Sequence, residues 1–243
     1  MIKIFENEQL VAEAIQTEMM AGLTHINPVF CLAAGSTPAK GYELFSQASI
    51  DKSNLSHLKI VSLDEWVGIK RENRGSCYQM LNQDLFKKIN LPEEQIVFYD
   101  GAAVDLVQEC NRIDDFIKKN PITFSLMGVG MNGHIGLNEP GFPVLAKSSI
   151  VKLSETTKIV AQKYFEEETA LNWGITLGLK QIIRSERVIV VITGAHKAGI
   201  VKEIFRDAGK ELPAGQLLGH DHIDFYLDQA AASHLNEEEL QYE

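Results

Sequence analysis

The feature that most constrains this chain is a set of short apolar runs, each ending in a glycine-rich or acidic turn. Residues 29–34 stop at Gly35-Ser36-Thr37-Pro38, and residues 60–63 stop at Asp64-Glu65. Residues 123–127 stop at Gly128, and residues 187–193 at Gly194-Ala195-His196-Lys197. The runs are continuous instead of alternating, the pattern of strands buried on both faces, and such strands belong to parallel sheets covered by helices. Helical periodicity fills the intervals: 8–23 (with Leu10, Ala14, Ile15 and Met19 on one face), 36–45, 77–88, 104–119, 154–168, 176–183 and 197–205. Further strands are expected at 2–5, 96–99 and 222–227, and the Glu237-Glu238-Glu239-Leu240 tail reads as a solvated end. Neither a linker nor an internal repeat divides the sequence. The expectation is one α/β domain over 1–243, a doubly wound, mostly parallel, Rossmann-like sheet with helices on both faces and a helical lid near 152–170.

Composition narrows the function. Lys+Arg total 23 and Asp+Glu 33, and 23 − 33 gives a formal net charge of −10. The global field therefore opposes nucleic acid and anionic membrane, and any bound phosphate needs a local cluster of donors. The apolar runs are far short of the ~20 residues of a membrane span, and the amino terminus lacks a secretory pattern. A cytoplasmic location is expected. Cys31, Cys77 and Cys110 are odd in number and spread out, so they read as buried or incidental thiols.

In an open α/β sheet, ligands bind beyond the carboxyl ends of the strands, and four polar turns are predicted on that one edge. Gly35-Ser36-Thr37-Pro38 offers close backbone approach, two hydroxyls and a helix start, which suits either an anion site or an ordinary N-cap by Ser36 or Thr37. Lys197 can add a point charge to the same anion. At Asp64-Glu65 only one side chain can face a given pocket, because strand residues alternate sides. Asp64 is a candidate general base whose pKa burial would raise toward neutrality. The alternative is a capping Asp beside a solvated Glu.

The loop from Gly128 to Gly141 holds five glycines in 14 residues together with Asn132, His134, Asn138 and Glu139. Gly128, Gly130 and Gly133 match the dinucleotide fingerprint, but Gly136, Pro140 and Gly141 forbid the long helix that a pyrophosphate needs. A His and a Glu in a tight loop suit proton transfer instead, the carboxylate fixing the imidazole tautomer. His220 and His222 share a strand face but offer only two nitrogen ligands, so no metal site is expected.

Leu63-Asp64-Glu65-Trp66-Val67-Gly68, the Gly128–Gly141 loop and Gly174-Ile175-Thr176-Leu177-Gly178-Leu179-Lys180 together resemble the amino-sugar-phosphate deaminase/isomerase family. So do Val191-Ile192-Thr193-Gly194 with Lys197, and Leu212-Pro213-Ala214-Gly215. The fit is closest to the galactosamine-6-phosphate branch, with Trp66 where glucosamine-6-phosphate deaminases more often carry Tyr. The resemblance implies a cofactor-free conversion of galactosamine 6-phosphate to tagatose 6-phosphate plus ammonia. The alternatives are the glucosamine reaction, which yields fructose 6-phosphate, and, more distantly, 6-phosphogluconolactonase. A sugar-phosphate sensor is disfavoured, because the chain has no room for a DNA-binding module.

Carried over residue by residue, His134 opens the sugar ring with Glu139 behind it, and Asp64 moves the proton between C2 and C1. Gly35, Ser36, Thr37, Glu65, Gly130, Gly133, Lys163 and Lys197 are implied around the substrate and its phosphate. Many family members have Asp where Asn132 stands, which leaves Asn132 an orienting role. Lys163 stands where the well-studied deaminases carry a lid Arg, and it gives a point charge instead of a bidentate fork. Residues 142–153 lack the basic set of the allosteric effector site, which leaves room for a small, non-allosteric homo-oligomer.

Overall fold

The computed structural model describes residues 1–48 and 55–236, without the side chains of Asp207 and Ala208. The expected acidic tail lies outside the described residues. Seven strands, β1 (Ile2–Phe5), β2 (Val29–Leu32), β3 (Lys59–Ser62), β5 (Ile96–Val97), β6 (Phe124–Gly128), β9 (Arg187–Ile192) and β10 (Ile223–Asp228), form one sheet of order β1-β10-β9-β6-β2-β3-β5. Every pairing in it is parallel.

The apolar runs are continuous because each strand supplies both faces of this sheet. On β2, Val29 and Cys31 enter one apolar cluster while Phe30 and Leu32 enter the other; on β9, Val188 and Val190 oppose Ile189 and Val191. One face is covered by α1 (Glu8–Gly22) and α2 (Ser36–Gln47) through Val11, Ile15, Met19, Tyr42 and Phe45. The short α3 (Cys77–Leu81) joins the same cluster. The other face is covered by α4 (Leu106–Lys119), α6 (Leu179–Ile183) and α7 (Ala198–Ile204). This is the expected doubly wound arrangement.

Several local expectations need correction. Leu10 is exposed and Val11 takes its place in the core, because the buried stripe of α1 is rotated by one residue. The helix expected over 77–88 is α3 followed by a wider π-helical turn, Asn82–Phe86. The helix expected over 104–119 starts at Leu106, where the Asp105 side chain accepts the Gln108 N–H. The helix expected over 154–168 stops early: α5 spans Glu155–Ala161, with one tighter turn at Gln162–Tyr164. The chain then turns back, because the Gln162 amide pairs with both the N–H and the carbonyl of Thr169.

The largest difference is a second, three-stranded antiparallel sheet of order β4-β8-β7. It consists of β4 (Asp64–Trp66), β8 (Trp173–Thr176) and β7 (Ser149–Lys152). The helix expected over 176–183 is shortened to Leu179–Ile183, and Thr176 ends a strand instead. Three- and four-residue strands carry almost no periodic signal, and Gly174 mimics a breaker. Its real constraint is packing, since a Cβ there would lie 2.2 Å from Leu137. This small sheet caps the carboxyl edge of the large one and holds Asp64 over it.

Helices α1 and α2 touch closely at Gly41, where a Cβ would fall 2.5 Å from Cγ2 of Ile15. Gly41→Ala gains roughly 1 kcal/mol of helix propensity but overpacks against a stiff β-branched neighbour. The expected net result is a loss of about 1–3 kcal/mol, read as a lower urea midpoint at unchanged slope.

Candidate active site

The topology reverses between β2 and β6, where the chain runs outward in both directions, and the cavity opens there. It has a volume of about 350 Å³, within the roughly 300–1,000 Å³ of small-molecule pockets. All four polar turns reach it: Gly35–Thr37, Asp64, Gly128–Gly130 with His134, and His196 with Lys197. The helix α5 and the turn after it form its roof through Thr157, Lys163 and Tyr164.

One end of the cavity is built for an anion. Gly35 is the N-cap of α2 with φ +104, a conformation that glycine adopts freely, and no side chain caps the first turn. The capping alternative for Ser36 and Thr37 therefore does not hold, and the helix start faces the cavity. Lys197 is buried, with Nζ donating to the Val129 carbonyl at 2.6 Å. Burial and the nearby Lys163 ammonium pull its pKa down to about 8. Lys163 is exposed on the roof and reaches the cavity rim.

At the other end, burial raises the Asp64 carboxyl to about 7, opposed by a hydrogen bond from the Cys77 thiol. His134 lies over Gly130, where a Cβ would come within 2.1 Å of the ring, so only glycine fits. Its Nδ1 is 2.7 Å from Oδ1 of Asn132, and Asn132 Nδ2 donates to Glu139 Oε2 at 2.8 Å. Glu139 itself is 3.8 Å from Nδ1. Because a carboxylate only accepts, it orients the Asn132 amide. The amide oxygen then requires the proton on His134 Nδ1, leaving Nε2 as the unprotonated nitrogen. Burial, reinforced by Lys197 and countered by Glu139, holds the imidazole below its ordinary pKa. The Glu139 carboxyl is lowered: hydrogen bonds from Thr157, Asn132 and the Ser154 N–H, with His134 nearby, outweigh its desolvation.

Two expected binding residues are placed elsewhere. Glu65 was expected at the substrate, but it points away from Asp64 across β4 and is 1% exposed. Its carboxylate accepts the backbone N–H groups of Trp66, Cys77 and Tyr78 at 2.9, 2.9 and 3.0 Å, tying β4 to the start of α3. Gly133 was expected there too. It turns the loop at φ +82 and faces Leu212, not the cavity. Asn132 and Glu139 stand behind His134 without lining the cavity. Asn138 staples the loop to α6 by accepting the Leu179 N–H and donating to the carbonyls of Ile135 and Leu177. Thr157 and Tyr164 were missed, although 157, 160, 161 and 164 repeat at helical spacing along one face.

A deep cavity at the sheet's switch point, with an anion end and an acid–base end, defines an enzyme for a small phosphorylated substrate. The comparisons give the family. The model for "Glucosamine-6-phosphate isomerases/6-phosphogluconolactonase" matches residues 6–225, and this chain belongs to that family. The glucosamine-6-phosphate deaminase of Bacillus cereus (strain G9842) is 33% identical over 227 residues, 93% of this chain and 82% of that protein. That of Bacillus cytotoxicus is 34% identical over 209 residues, 85% and 78% of the two chains. Among solved structures, a monomeric glucosamine-6-phosphate deaminase of the NagB superfamily superposes with a TM-score of 0.90 at 25% identity, covering 96% of this chain and 99% of that one. The 6-phosphogluconolactonase of Trypanosoma brucei shares the fold, with a TM-score of 0.75 at 21% identity over 97% and 98%. Among the described residues, no helix is long and apolar enough to cross a membrane.

The placement of Glu65 is directly testable. Glu65→Gln turns an amide N–H₂ toward at least one of the three backbone donors, an expected cost of about 1–3 kcal/mol in urea unfolding. Affinity for inorganic phosphate, read by calorimetry, stays as in the parent; a substrate-binding Glu65 would give the opposite pair of results.

Proposed function

We propose that this chain converts glucosamine 6-phosphate and water to fructose 6-phosphate and ammonia. The observation that carries the reading is one cavity holding a carboxyl raised to about 7, Asp64, together with an imidazole kept neutral, His134. A base and an acid–base partner poised in this way suit proton abstraction beside a carbonyl. The relatives named above favour the gluco epimer over the galacto epimer that the sequence suggested.

The first turn of α2 takes the phosphate together with Lys197 and the roof residue Lys163. Holding that remote group orients the reacting carbons. Nε2 of His134 accepts the proton of the C1 hydroxyl and returns it to the ring oxygen, opening the pyranose to the aldehyde. Asp64 then removes the C2 proton while a proton of the substrate's C2 ammonium passes to O1, giving the enolamine, and Asp64 delivers its proton to C1 as the iminium forms at C2. Water adds to that iminium, ammonia leaves, and the C2 ketone remains. The chemistry calls on no resident metal or redox cofactor.

Purified protein is expected to release ammonia from glucosamine 6-phosphate faster than from galactosamine 6-phosphate, and Asp64→Asn to release none. A galacto preference would restore that epimer, whereas lactone hydrolysis unaffected by Asp64→Asn would replace the deaminase reading. The pH dependence follows from the same groups. Asp64 acts as a base only when ionised, so kcat/KM rises through about pH 7. Lys197 holds phosphate only when charged, so kcat/KM falls above about pH 8. The profile is a narrow bell, and a flat alkaline limb would remove Lys197 from phosphate binding.

A further inference from the structure

The roof is hydrogen-bonded into the groups behind His134. Ser154, the N-cap of α5, gives its N–H to Glu139 Oε1 at 3.1 Å, and its hydroxyl accepts from Asn132 Nδ2 at 3.1 Å and from the Thr157 N–H at 3.2 Å. The same hydroxyl donates to Thr157 Oγ1 at 3.1 Å. Thr157 Oγ1 in turn stands 3.1 Å from Nδ1 of His134.

These contacts admit one consistent set of protons. Ser154 Oγ spends its proton on Thr157 Oγ1, and Asn132 Oδ1, which can only accept, requires the proton of His134 Nδ1, so that nitrogen has no lone pair left to receive one. Thr157 Oγ1 therefore meets His134 Nδ1 as an acceptor, the same role that Asn132 Oδ1 plays from the other side. Two acceptors from different elements, one on the glycine-rich loop and one on the roof, converge on a single ring nitrogen. Thr157 is 4% exposed, so water does not compete freely for this bond.

We propose that Thr157 is a positioning residue for His134, through which the docked roof helix fixes the imidazole as the Nδ1–H tautomer and turns Nε2 to the substrate. Proton transfer at His134 is thereby tied to the roof being in place over the cavity. Asn132 alone leaves the ring one anchor about which to rotate; with Thr157 it has two. The proposal rests on the deaminase reading for its kinetic arm, while its structural arm stands without it.

Thr157→Val keeps the shape and removes the hydroxyl, and Thr157→Ser keeps the hydroxyl. In histidine-labelled protein, nitrogen NMR of the parent is expected to show His134 with a protonated Nδ1 and an unprotonated Nε2. Thr157→Ser keeps that signature, and Thr157→Val gives a mixture of tautomers at unchanged far-ultraviolet circular dichroism. In ammonia release, kcat of Thr157→Val falls about tenfold, short of the 10²–10⁴ attached to losing an acid–base group outright. KM changes less than twofold, and Thr157→Ser restores kcat. An unaltered His134 signature with unaltered kcat in Thr157→Val overturns the proposal, as does a Ser variant as impaired as Val. If the parent releases no ammonia from any amino-sugar phosphate, the deaminase reading fails, and the tautomer in the three proteins still decides the role of Thr157.

Discussion

Six parallel ladders, their central strands buried on both faces, govern everything else in this molecule. A parallel strand must be followed by a crossover, so every strand leaves the sheet at the same edge before its helix returns over a face. The turns carrying Gly35, Asp64, Gly128 and Gly194 are thus brought together by hydrogen-bond geometry and apolar burial, without any attraction among their polar groups. Those groups repel one another or lose hydration when gathered, and the two apolar clusters flanking the sheet offset that cost.

Burial then sets the chemistry. It raises Asp64 and Glu65 toward neutrality and lowers His134 and Lys197. The two adjacent carboxylates diverge because of what each meets. Three backbone N–H groups meet Glu65 and make it structural, whereas Asp64 meets a thiol and the open cavity. The alternation of a strand separates the two roles. The cationic end of the cavity is equally local, an exception within a chain of net charge −10.

The parts of the site that follow a continuous apolar run were legible in the sequence. Gly35-Ser36-Thr37, Asp64, His134 and Lys197 are read from runs of four to six apolar residues ending in polar turns, and all reach the cavity. The parts resting on short elements were not. The strand β8 opens on the exposed Trp173 and is interrupted by Gly174, β4 is three residues of which two are acids, so neither makes an apolar run, and α5 has only seven residues. Glu65 and Gly133 entered the expected site through the family resemblance, whereas strand alternation already allowed only one of Asp64 and Glu65 to face the cavity. Thr157 was passed over because it lies 23 positions from His134, and nothing local links the two.

By itself, the sequence determined the parallel sheet, its order of strands and helices, the edge where the cavity opens and the family, since these depend on patterns that persist over several residues. Only the tertiary structure decided which of two neighbouring carboxylates faces the cavity, which nitrogen of His134 carries the proton, and that the roof helps to place it. Those outcomes turn on hydrogen bonds between groups far apart in the chain. The direction of such bonds is set when the small sheet and α5 dock over the large sheet, and no local run of residues encodes it.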